Sequence, residues 1–238
     1  MKLSIIVPVY NEAATIADVV TRVLAVDVGA LEREVLVVND GSSDDTAVNI
    51  DRSGWRTDAA VRVFDNPINL GKGAAVRLGL RHATGDILLI QDADLELDPQ
   101  EYMRLVQPII DGRTQIVYGS RFICGSRHVP RRTRLANRVL TMVTNVLYGS
   151  HLTDMETAYK VFRRDILDGM RLRCVGFDFE PEFTAKLLLR GHQILEVPVN
   201  YNPRRVDEGK KIRWTDGVDA LYALIKFRFT SRARWSPQ

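Results

Sequence analysis

The sequence predicts an α/β fold, in which a doubly wound and mostly parallel sheet carries helices on both faces. The first half of the chain alternates short runs of Val, Ile and Leu with longer amphipathic stretches. These apolar runs are continuous and do not alternate with polar residues, as strands covered on both faces require. Only short connections separate them, which favours repeated right-handed β-α units within one sheet.

The first half holds four predicted strands, at residues 3–9, 34–39, 61–64 and 86–91. Each is rich in Val, Ile or Leu and is followed by polar or turn-forming residues. Helical patterns lie between them, near residues 12–25, 44–52 and 70–83. Ligands of a doubly wound sheet bind beyond the carboxyl ends of its strands, so the residues that follow these strands are the first candidates for a functional site.

The second half is less regular but continues the alternation. Strands are predicted at 116–121, 158–163 and 193–199, and helices at 134–148, at about 180–190 and from about 214. The helix at 134–148 is amphipathic, because apolar residues recur at helical spacing from Leu135 to Leu147 while arginines follow another side. No linker, repeat or low-complexity segment interrupts the chain, so we expect one domain over residues 1–238.

The distribution of charge limits the class of partner. The net charge is only +3, but basic residues cluster near 127–138, 204–213 and 228–234. Such clusters are typical of surfaces that bind phosphate, nucleic acid or an anionic membrane, and also of solvated helix faces. Because the sequence contains no recognisable module for reading bases, we expect no nucleic-acid partner.

No membrane-spanning or secretory segment is predicted. The longest uncharged run, residues 139–153, is shorter than the roughly 20 apolar residues that cross a bilayer. The amino terminus enters an apolar strand pattern directly and shows no cleavable signal. We therefore expect a cytoplasmic protein, with a surface-bound state at the inner face of the membrane as its alternative.

The fourth predicted strand runs into alternating acids, in the stretch ILLIQDADLEL at residues 87–97. In an extended segment Asp92, Asp94 and Glu96 project to the same side, where their charges repel one another. A divalent cation removes this conflict, and Mg²⁺ or Mn²⁺ suits a few carboxylates together with the oxygens of a substrate diphosphate. Asp98, followed by Pro99, is better explained as the cap of the next helix.

Two further strand ends carry polar groups. Asp40 ends a buried strand, where its carboxylate is predicted to accept hydrogen bonds from a ribose or a base; the alternative is a turn-forming residue. The loop at 71–73 (GKG) is not a Walker A loop, because Asn66 replaces the first glycine and no Ser or Thr follows Lys72. It is also not a dinucleotide-binding loop, because Val76 replaces the third glycine. It remains a cationic turn at a helix start, which favours an anion.

Four motifs therefore follow the predicted strands, at 7–12 (VPVYNE), 39–44 (NDGSSD), 69–73 (NLGKG) and 92–94 (DAD). Their order and spacing resemble those of the family 2 inverting glycosyltransferases, over roughly the first 125 residues. Motifs of the second half resemble the dolichyl-phosphate mannose and glucose synthase branch of that family. They lie at 118–121 (YGSR), 153–160 (TDMETAYK), 176–177 (GF) with Glu182, and 196–198 (EVP) through Arg204 to 208–212 (EGKKI).

The resemblance implies a single-domain GT-A fold, in which residues 1–125 bind a nucleoside diphosphate sugar and residues 126–238 bind the acceptor. The residues implied for the donor are Pro8, Tyr10, Glu12, Asp40, Lys72, Asp92 and Ala93. The ligands implied for Mg²⁺ or Mn²⁺ are Asp92, Asp94 and Glu96, although this branch often carries Gln at the position of Glu96. The residues implied for an acceptor phosphate are Arg121, Arg131, Arg134, Lys210 and Lys211.

The reaction implied is an inverting transfer of a hexose from GDP-mannose or a UDP-linked hexose to a polyprenyl or dolichyl phosphate. A lipid phosphate is already anionic, so the positioning of that group by Arg121 and charge neutralisation at Asp94 are the expected catalytic aids. A hydroxyl acceptor would require a carboxylate base, for which Asp154 is the first candidate and Glu182 the second. Two alternatives stay open, namely a soluble or glycan hydroxyl acceptor and a non-catalytic regulator that binds a nucleotide sugar.

A lipid acceptor would also explain the amphipathic segments. The apolar face of 135–149 lies beside an arginine-rich stretch, and the last predicted helix runs into Arg228, Arg232, Arg234 and Trp235. Both features suit an enzyme at a membrane interface, while ordinary core packing is the competing interpretation. Many members of this branch carry transmembrane helices after the catalytic domain, so we expect either peripheral membrane contact or a separate membrane partner.

Overall fold

The computed structural model describes residues 1–123, 129–204 and 214–230. These residues form seven strands, β1 (Lys2–Val9), β2 (Glu32–Asp40), β3 (Val61–Asn66), β4 (Ile87–Ile90), β5 (Ile116–Ser120), β6 (Lys160–Arg163) and β7 (Leu195–Pro198). They also form seven α-helices, α1 (Ile16–Ala25), α2 (Thr46–Arg52), α3 (Lys72–His82), α4 (Tyr102–Ile110), α5 (Arg131–Tyr148), α6 (Phe179–Leu189) and α7 (Trp214–Phe229). Each strand and helix expected from the sequence is found, with small shifts at its ends.

The strands form one sheet in the order β3-β2-β1-β4-β6-β5-β7. β1 is an interior strand and pairs in parallel with both β2 and β4. β6 runs antiparallel between β4 and β5, whereas β7 is again parallel to β5. The mostly parallel, doubly wound sheet is therefore confirmed, with one reversed strand that the apolar pattern of 158–163 did not reveal.

Helices cover both faces of the sheet, which explains why the strands are continuously apolar. On one face the odd residues of β1, such as Ile5 and Val7, pack with α1, α2 and α4. On the other face Ile6 packs with the aromatic side of α6 and with α3. All four residues of β4 are buried. Their burial fixes the strands and brings their carboxyl ends together at one edge.

The start of α4 confirms the predicted cap. Asp98 accepts a hydrogen bond from the backbone N–H of Gln100 at 3.1 Å, and Pro99 opens a 3₁₀ turn that leads into the helix. Proline suits the first turn because its missing N–H has no partner there in any case. Asp98 thus caps the turn at the start of α4 and does not belong to the acidic cluster of Asp92, Asp94 and Glu96.

α5 and α7 form a separate layer beside α6, and each has a packed and an exposed apolar side. Leu140 and the half-buried Val143 pack with Ala220 and Leu224 of α7. The other side of each helix carries apolar residues that are 43% to 78% exposed: Leu135, Val139, Met142 and Val146 on α5, and Val218, Tyr222, Ile225 and Phe229 on α7. Core packing and an exposed apolar face therefore both occur, on opposite sides of the same helices. Within the described ranges no helix is long and apolar enough to cross a bilayer.

Candidate active site

A cavity of about 660 Å³ opens at the edge where the parallel strands end. Its wall is built from both halves of the chain. The sequence-predicted residues that line it are Pro8, Tyr10, Glu12, Asp40, Lys72, Asp92, Ala93, Asp94, Glu96 and Arg121. The cavity therefore brings the predicted donor residues together with one predicted acceptor residue.

The acidic segment reaches the cavity through a turn and not as an extended strand. β4 ends at Ile90, and Leu95 adopts a left-handed conformation with φ of 61°. Asp94 accepts a hydrogen bond from the backbone N–H of Glu96 at 3.1 Å, which closes this turn. The predicted alternation of three carboxylates along a strand is wrong for this reason. Asp92, Asp94 and Glu96 nevertheless all line the cavity.

Asp92 and Asp94 are in different electrostatic environments. The Lys72 ammonium group lies 2.8 Å from the carboxylate of Asp92 and 2.8 Å from that of Glu180. Burial would lower the pKa of Lys72, but these two carboxylates outweigh that effect and raise it. For Asp94, burial and the charges of Asp92 and Glu96 raise the pKa to about 7, although Arg204 lies 3.3 Å away. Asp94 is thus incompletely neutralised by the groups around it.

This donor set fits a divalent cation that is shared with a substrate. A cation beside Asp94 would offset the repulsion between its buried carboxylate and those of Asp92 and Glu96. Among the described residues no group of three or more His, Cys, Asp or Glu side chains forms a metal site. Mg²⁺ commonly binds through one or two carboxylates together with substrate phosphates, and Asp92 and Asp94 match that mode.

Glu96 and Glu12 bind the segment around Arg204. The Glu96 carboxylate accepts hydrogen bonds from the Tyr201 hydroxyl at 2.8 Å and from the Arg204 backbone N–H at 2.9 Å. The Arg204 guanidinium pairs with both oxygens of Glu12, at 2.9 and 3.0 Å. Glu96, predicted as a metal ligand, has protein partners of its own in this arrangement. Arg204 lines the cavity and contacts two of the predicted site residues there, Glu12 and Asp94.

Asp40 shapes the loop before α3. Its two oxygens accept hydrogen bonds from the Asn66 side chain at 2.7 Å and from the backbone N–H groups of Leu70 and Gly71 at 3.1 and 2.7 Å. Gly71 has φ of 100°, and a Cβ atom there would lie 2.5 Å from the carbonyl oxygen of Val175. Asp40 lines the cavity, but its carboxylate is used mainly to hold the loop that carries Lys72.

Arg121 is fixed by Asp154. Two guanidinium nitrogens each donate to a different Asp154 oxygen at 2.7 Å, and the Arg121 backbone N–H donates at 3.0 Å. Asn137 donates a further bond to Asp154 at 3.0 Å. Burial would lower the pKa of Arg121, but the charge and hydrogen bonds of Asp154 outweigh that effect and raise the pKa. The guanidinium therefore stays cationic. Asp154 is fully buried, and its geometry is that of a residue that orients Arg121.

The remaining predicted residues that the structure describes do not line this cavity. Arg131 and Arg134 are exposed on the first turn of α5, and neither lines the cavity. Lys210 and Lys211 lie outside the described residues. Glu182, the second candidate for a base, is fully buried and bonded to Lys186 and to the backbone N–H groups of Arg173 and Cys174.

Sequence reasoning missed several residues of the cavity wall. They are Glu156, Phe177, Glu180, Tyr201 and Arg204. Glu156 stands two positions after Asp154, and Glu180 two positions before Glu182, so the correct motifs were recognised but the neighbouring acid was chosen. Arg204 was recognised as part of a basic cluster and of a second-half motif, but it was given no role in the site. The sequence alone does not show which acid of such a pair lines a cavity, because side chains in loops and at helix starts have no repeating orientation.

Comparisons with known proteins agree with this geometry. The chain matches the family model described as Glycosyl transferase family 2 over residues 4–171. It is 28% identical over 234 residues to undecaprenyl-phosphate 4-deoxy-4-formamido-L-arabinose transferase of Enterobacter sp. (strain 638), which covers 98% of this chain and 69% of that protein.

Solved structures of glucosyl-3-phosphoglycerate synthase from Mycobacterium tuberculosis are similar in fold. The complex with Mn²⁺, uridine diphosphate and phosphoglyceric acid has a TM-score of 0.74 at 20% identity, covering 98% of this chain and 80% of that one. The complex with uridine diphosphate alone has a TM-score of 0.75 at 23% identity, covering 95% and 80%. These neighbours confirm the predicted fold class.

Proposed function

The chain belongs to glycosyl transferase family 2, and on that premise we propose that it transfers a hexose from a nucleoside diphosphate sugar to the phosphate of a polyprenyl lipid, with Mg²⁺ or Mn²⁺. One observation carries the proposal. Arg121 lines the same cavity as Asp92 and Asp94 and is held there by the buried Asp154. A fixed guanidinium opposite an acidic pair suits a reaction between an anionic acceptor and a metal-bound diphosphate.

The donor is proposed to lie across the strand ends of the first half. Pro8, Tyr10 and the loop held by Asp40 would contact the nucleoside, and the diphosphate would lie toward Asp92, Asp94 and Lys72. A bound Mg²⁺ or Mn²⁺ would supply neutralisation of the charge on the leaving diphosphate. Four of the neighbouring structures contain Mn²⁺ with uridine diphosphate or its glucose conjugate, which supports this class of donor.

The acceptor is proposed to be a phosphate because an anionic phosphate oxygen can attack without a general base. An oxygen of the lipid phosphate attacks the anomeric carbon, and the bond from that carbon to the diphosphate oxygen breaks. The nucleoside diphosphate leaves with the electron pair, and no proton has to move. Arg121 holds and orients the attacking group. The name of the relative that is 28% identical, an undecaprenyl-phosphate transferase, supports this acceptor.

A lipid acceptor requires that the protein approach a membrane, and we assign this contact to α5 and α7. Their exposed apolar residues recur at intervals of four, three and four, so they form one stripe on each helix. Arg132 and Arg138 are exposed on α5, and Lys226 and Arg228 on α7. Apolar stripes flanked by cations suit an anionic bilayer surface, at the inner face where nucleotide sugars occur. A separate membrane protein on the same stripes is the alternative partner.

A second candidate function is transfer to a hydroxyl group of a soluble acceptor. The observation that favours it is the carboxylate of Glu156, which lines the cavity and is available as a base where Asp154 is not. Structural neighbours in complex with phosphoglyceric acid also favour a soluble acceptor.

A competition assay separates the two functions. Purified protein with Mn²⁺ is given radiolabelled UDP-glucose or GDP-mannose, together with equal amounts of undecaprenyl phosphate and phosphoglyceric acid. We expect the label in the lipid fraction with one donor, and its loss when EDTA is added. Label in the soluble product alone would contradict the lipid proposal and support the second candidate.

A further inference from the structure

Two carboxylate oxygens in the cavity wall have no hydrogen-bond partner among the described residues. They are Oε1 of Glu156 and Oε2 of Glu180, and both atoms are inaccessible to solvent. Both residues line the cavity that holds the proposed donor site. A buried polar atom without a partner destabilises a protein by roughly 1–3 kcal/mol, so such atoms are rare in folded proteins. Two in one wall indicate that a ligand supplies the missing donors.

The two carboxylates lie between the proposed diphosphate position and Arg121. Lys72 contacts both Asp92 and Glu180, so Glu180 is separated from the acidic pair by one ammonium group. Glu156 is close enough to Arg121 and Glu180 for their charges to change its pKa. A hexose attached to the diphosphate has to lie in this part of the cavity, because its anomeric carbon must face the acceptor beside Arg121.

The chemistry of the wall selects the kind of group that it contacts. An unpartnered carboxyl oxygen accepts a hydrogen bond from a donor, and a protonated carboxyl group can also donate one. Burial and the charge of Glu180 raise the pKa of Glu156, which shows that no cation fully compensates it. Lys160 lies below the wall, but its ammonium group donates to the backbone carbonyls of Met155 and Thr157. Sugar hydroxyls are neutral and both donate and accept hydrogen bonds, so they fit these carboxyl groups better than an anionic acceptor phosphate does.

We infer that Glu156 and Glu180 accept hydrogen bonds from hydroxyl groups of the donor hexose and so determine which sugar the protein binds. The inference rests on the proposed function, because it takes the donor to be a nucleoside diphosphate sugar. Glu180 also holds Lys72, so it couples recognition of the sugar to the position of Asp92. Glu156 makes no such ion pair with a lysine among the described residues, so it is the better residue for a test.

The test compares how strongly protein variants bind the parent donors and their deoxy analogues, so that the coupling between the two changes can be measured. Binding constants are measured by titration calorimetry for UDP-glucose, GDP-mannose and their single deoxy analogues, with Mn²⁺ and without acceptor. The proteins are the wild type, Glu156→Gln, Glu156→Asp and the control Glu101→Gln. Glu101 is also a buried carboxylate, but it binds Asn200 and Arg104 and does not line the cavity.

We expect the wild type to bind one deoxy analogue at least 10-fold more weakly than the parent sugar nucleotide, because the missing hydroxyl leaves a buried polar atom without a partner. In Glu156→Gln and Glu156→Asp the same analogue should lose less than about 3-fold relative to its parent, because the partner of that hydroxyl is already altered. UDP and GDP alone should bind all four proteins equally. Glu101→Gln should discriminate as the wild type does.

The inference is overturned if Glu156→Gln weakens parent and deoxy donors by the same factor, or if no deoxy analogue differs from its parent in the wild type. An equal loss in kcat for every donor, with unchanged donor binding, would assign Glu156 to catalysis as a base. Since donor binding is measured without acceptor, its outcome is independent of the acceptor proposal. Discrimination among donors without transfer to undecaprenyl phosphate would reject the proposed acceptor and leave this inference standing.

Discussion

Asp94 is a cavity residue whose charge the surrounding groups compensate only in part. Burial and two neighbouring carboxylates raise its pKa, and Arg204 offsets them only in part. We expect Asp94→Asn to lower the rate of sugar transfer by at least about 100-fold, because charge neutralisation on the leaving group is lost. The same variant should lose the increase in melting temperature that Mn²⁺ adds to UDP.

Asp98→Asn is the matched control, because it changes an acid four residues away that caps a helical turn outside the cavity. Asparagine also caps helices well, so this variant should keep both transfer and the Mn²⁺-dependent melting shift. A variant Asp94→Asn that kept the Mn²⁺ effect would contradict the assignment of Asp94 as a metal ligand.

The Arg121 guanidinium binds Asp154, and Arg121 also lines the cavity. Lysine keeps the charge but cannot make the paired hydrogen bonds of a guanidinium. We therefore expect Arg121→Lys to raise the KM for undecaprenyl phosphate about 10-fold or more. The free energy of unfolding should fall by roughly 1–3 kcal/mol, because Asp154 remains buried with fewer donors.

Steady-state kinetics and urea unfolding measure the two effects of Arg121→Lys separately. Arg131→Lys serves as its control, since Arg131 is exposed outside the cavity and should change neither quantity. An increase in KM for Arg131→Lys equal to that for Arg121→Lys would restore Arg131 as a residue that holds the acceptor.

At the scale of single residues, motif and spacing predicted ten of the residues that line the cavity. They failed where two acids stand close in sequence, as with Asp154 and Glu156. Both oxygens of Asp154 are bound by Arg121, while an oxygen of Glu156 is left without a partner. This difference depends on the orientation of side chains in a loop, which has no periodicity that a sequence could reveal.

The exposed stripes of α5 and α7 belong to the scale of elements. We expect the double variant Met142→Lys and Tyr222→Lys to bind less strongly to vesicles of equal parts phosphatidylcholine and phosphatidylglycerol. Both side chains are more than half exposed, so the melting temperature should change little. Flotation of the vesicles measures the bound fraction.

Val48→Lys is the control for the stripes, because Val48 is an exposed apolar residue on α2, in a different layer of the fold. It should leave vesicle binding unchanged. Equal binding by the wild type and the double variant would argue against these stripes as the membrane contact.

Element boundaries were predictable where apolar runs are long, as in β1 and β2. The acidic segment after β4 differs, because a left-handed residue, Leu95, turns the chain there. Leucine rarely adopts this conformation, so nothing in its type predicts the turn. The reversed direction of β6 was likewise not encoded in its four residues and depends on the long connection that precedes it.

The stability of the whole molecule should depend on Glu34, which lies at the opposite ends of the strands. Burial would raise the pKa of Glu34, but hydrogen bonds from Ser4 and Thr84, and from Lys2, lower it to about 2. A lowered pKa means that Glu34 stabilises the fold above its unfolded pKa of about 4.5, and that this contribution is lost as the pH falls toward 2.

We therefore expect Glu34→Gln to lower the free energy of unfolding by roughly 2 kcal/mol at neutral pH, as loss of hydrogen bonds to a charged group predicts. The difference from the wild type should shrink as the pH falls below about 4.5. Urea unfolding across this range measures it. A difference that stayed constant with pH would show that the Glu34 charge does not contribute.

The overall architecture was predictable because a parallel sheet with two covered faces imposes continuous apolar runs on its strands. The cavity at its edge follows from the same topology, since parallel strands bring their carboxyl ends together. The contacts between the two halves were not predictable. Arg204 is more than 100 residues from both Glu12 and Asp94, and no local pattern links them.

The central claim is that the acceptor is a lipid phosphate, and one measurement tests it most directly. Mass spectrometry follows the products formed from the sugar nucleotide, Mn²⁺ and either undecaprenyl phosphate or undecaprenol, which differ only in the phosphate. The account predicts a glycosylated lipid phosphate from the first and no product from the second, because undecaprenol lacks the anion that Arg121 orients. Glycosylation of undecaprenol at a similar rate, or of neither lipid, would contradict it.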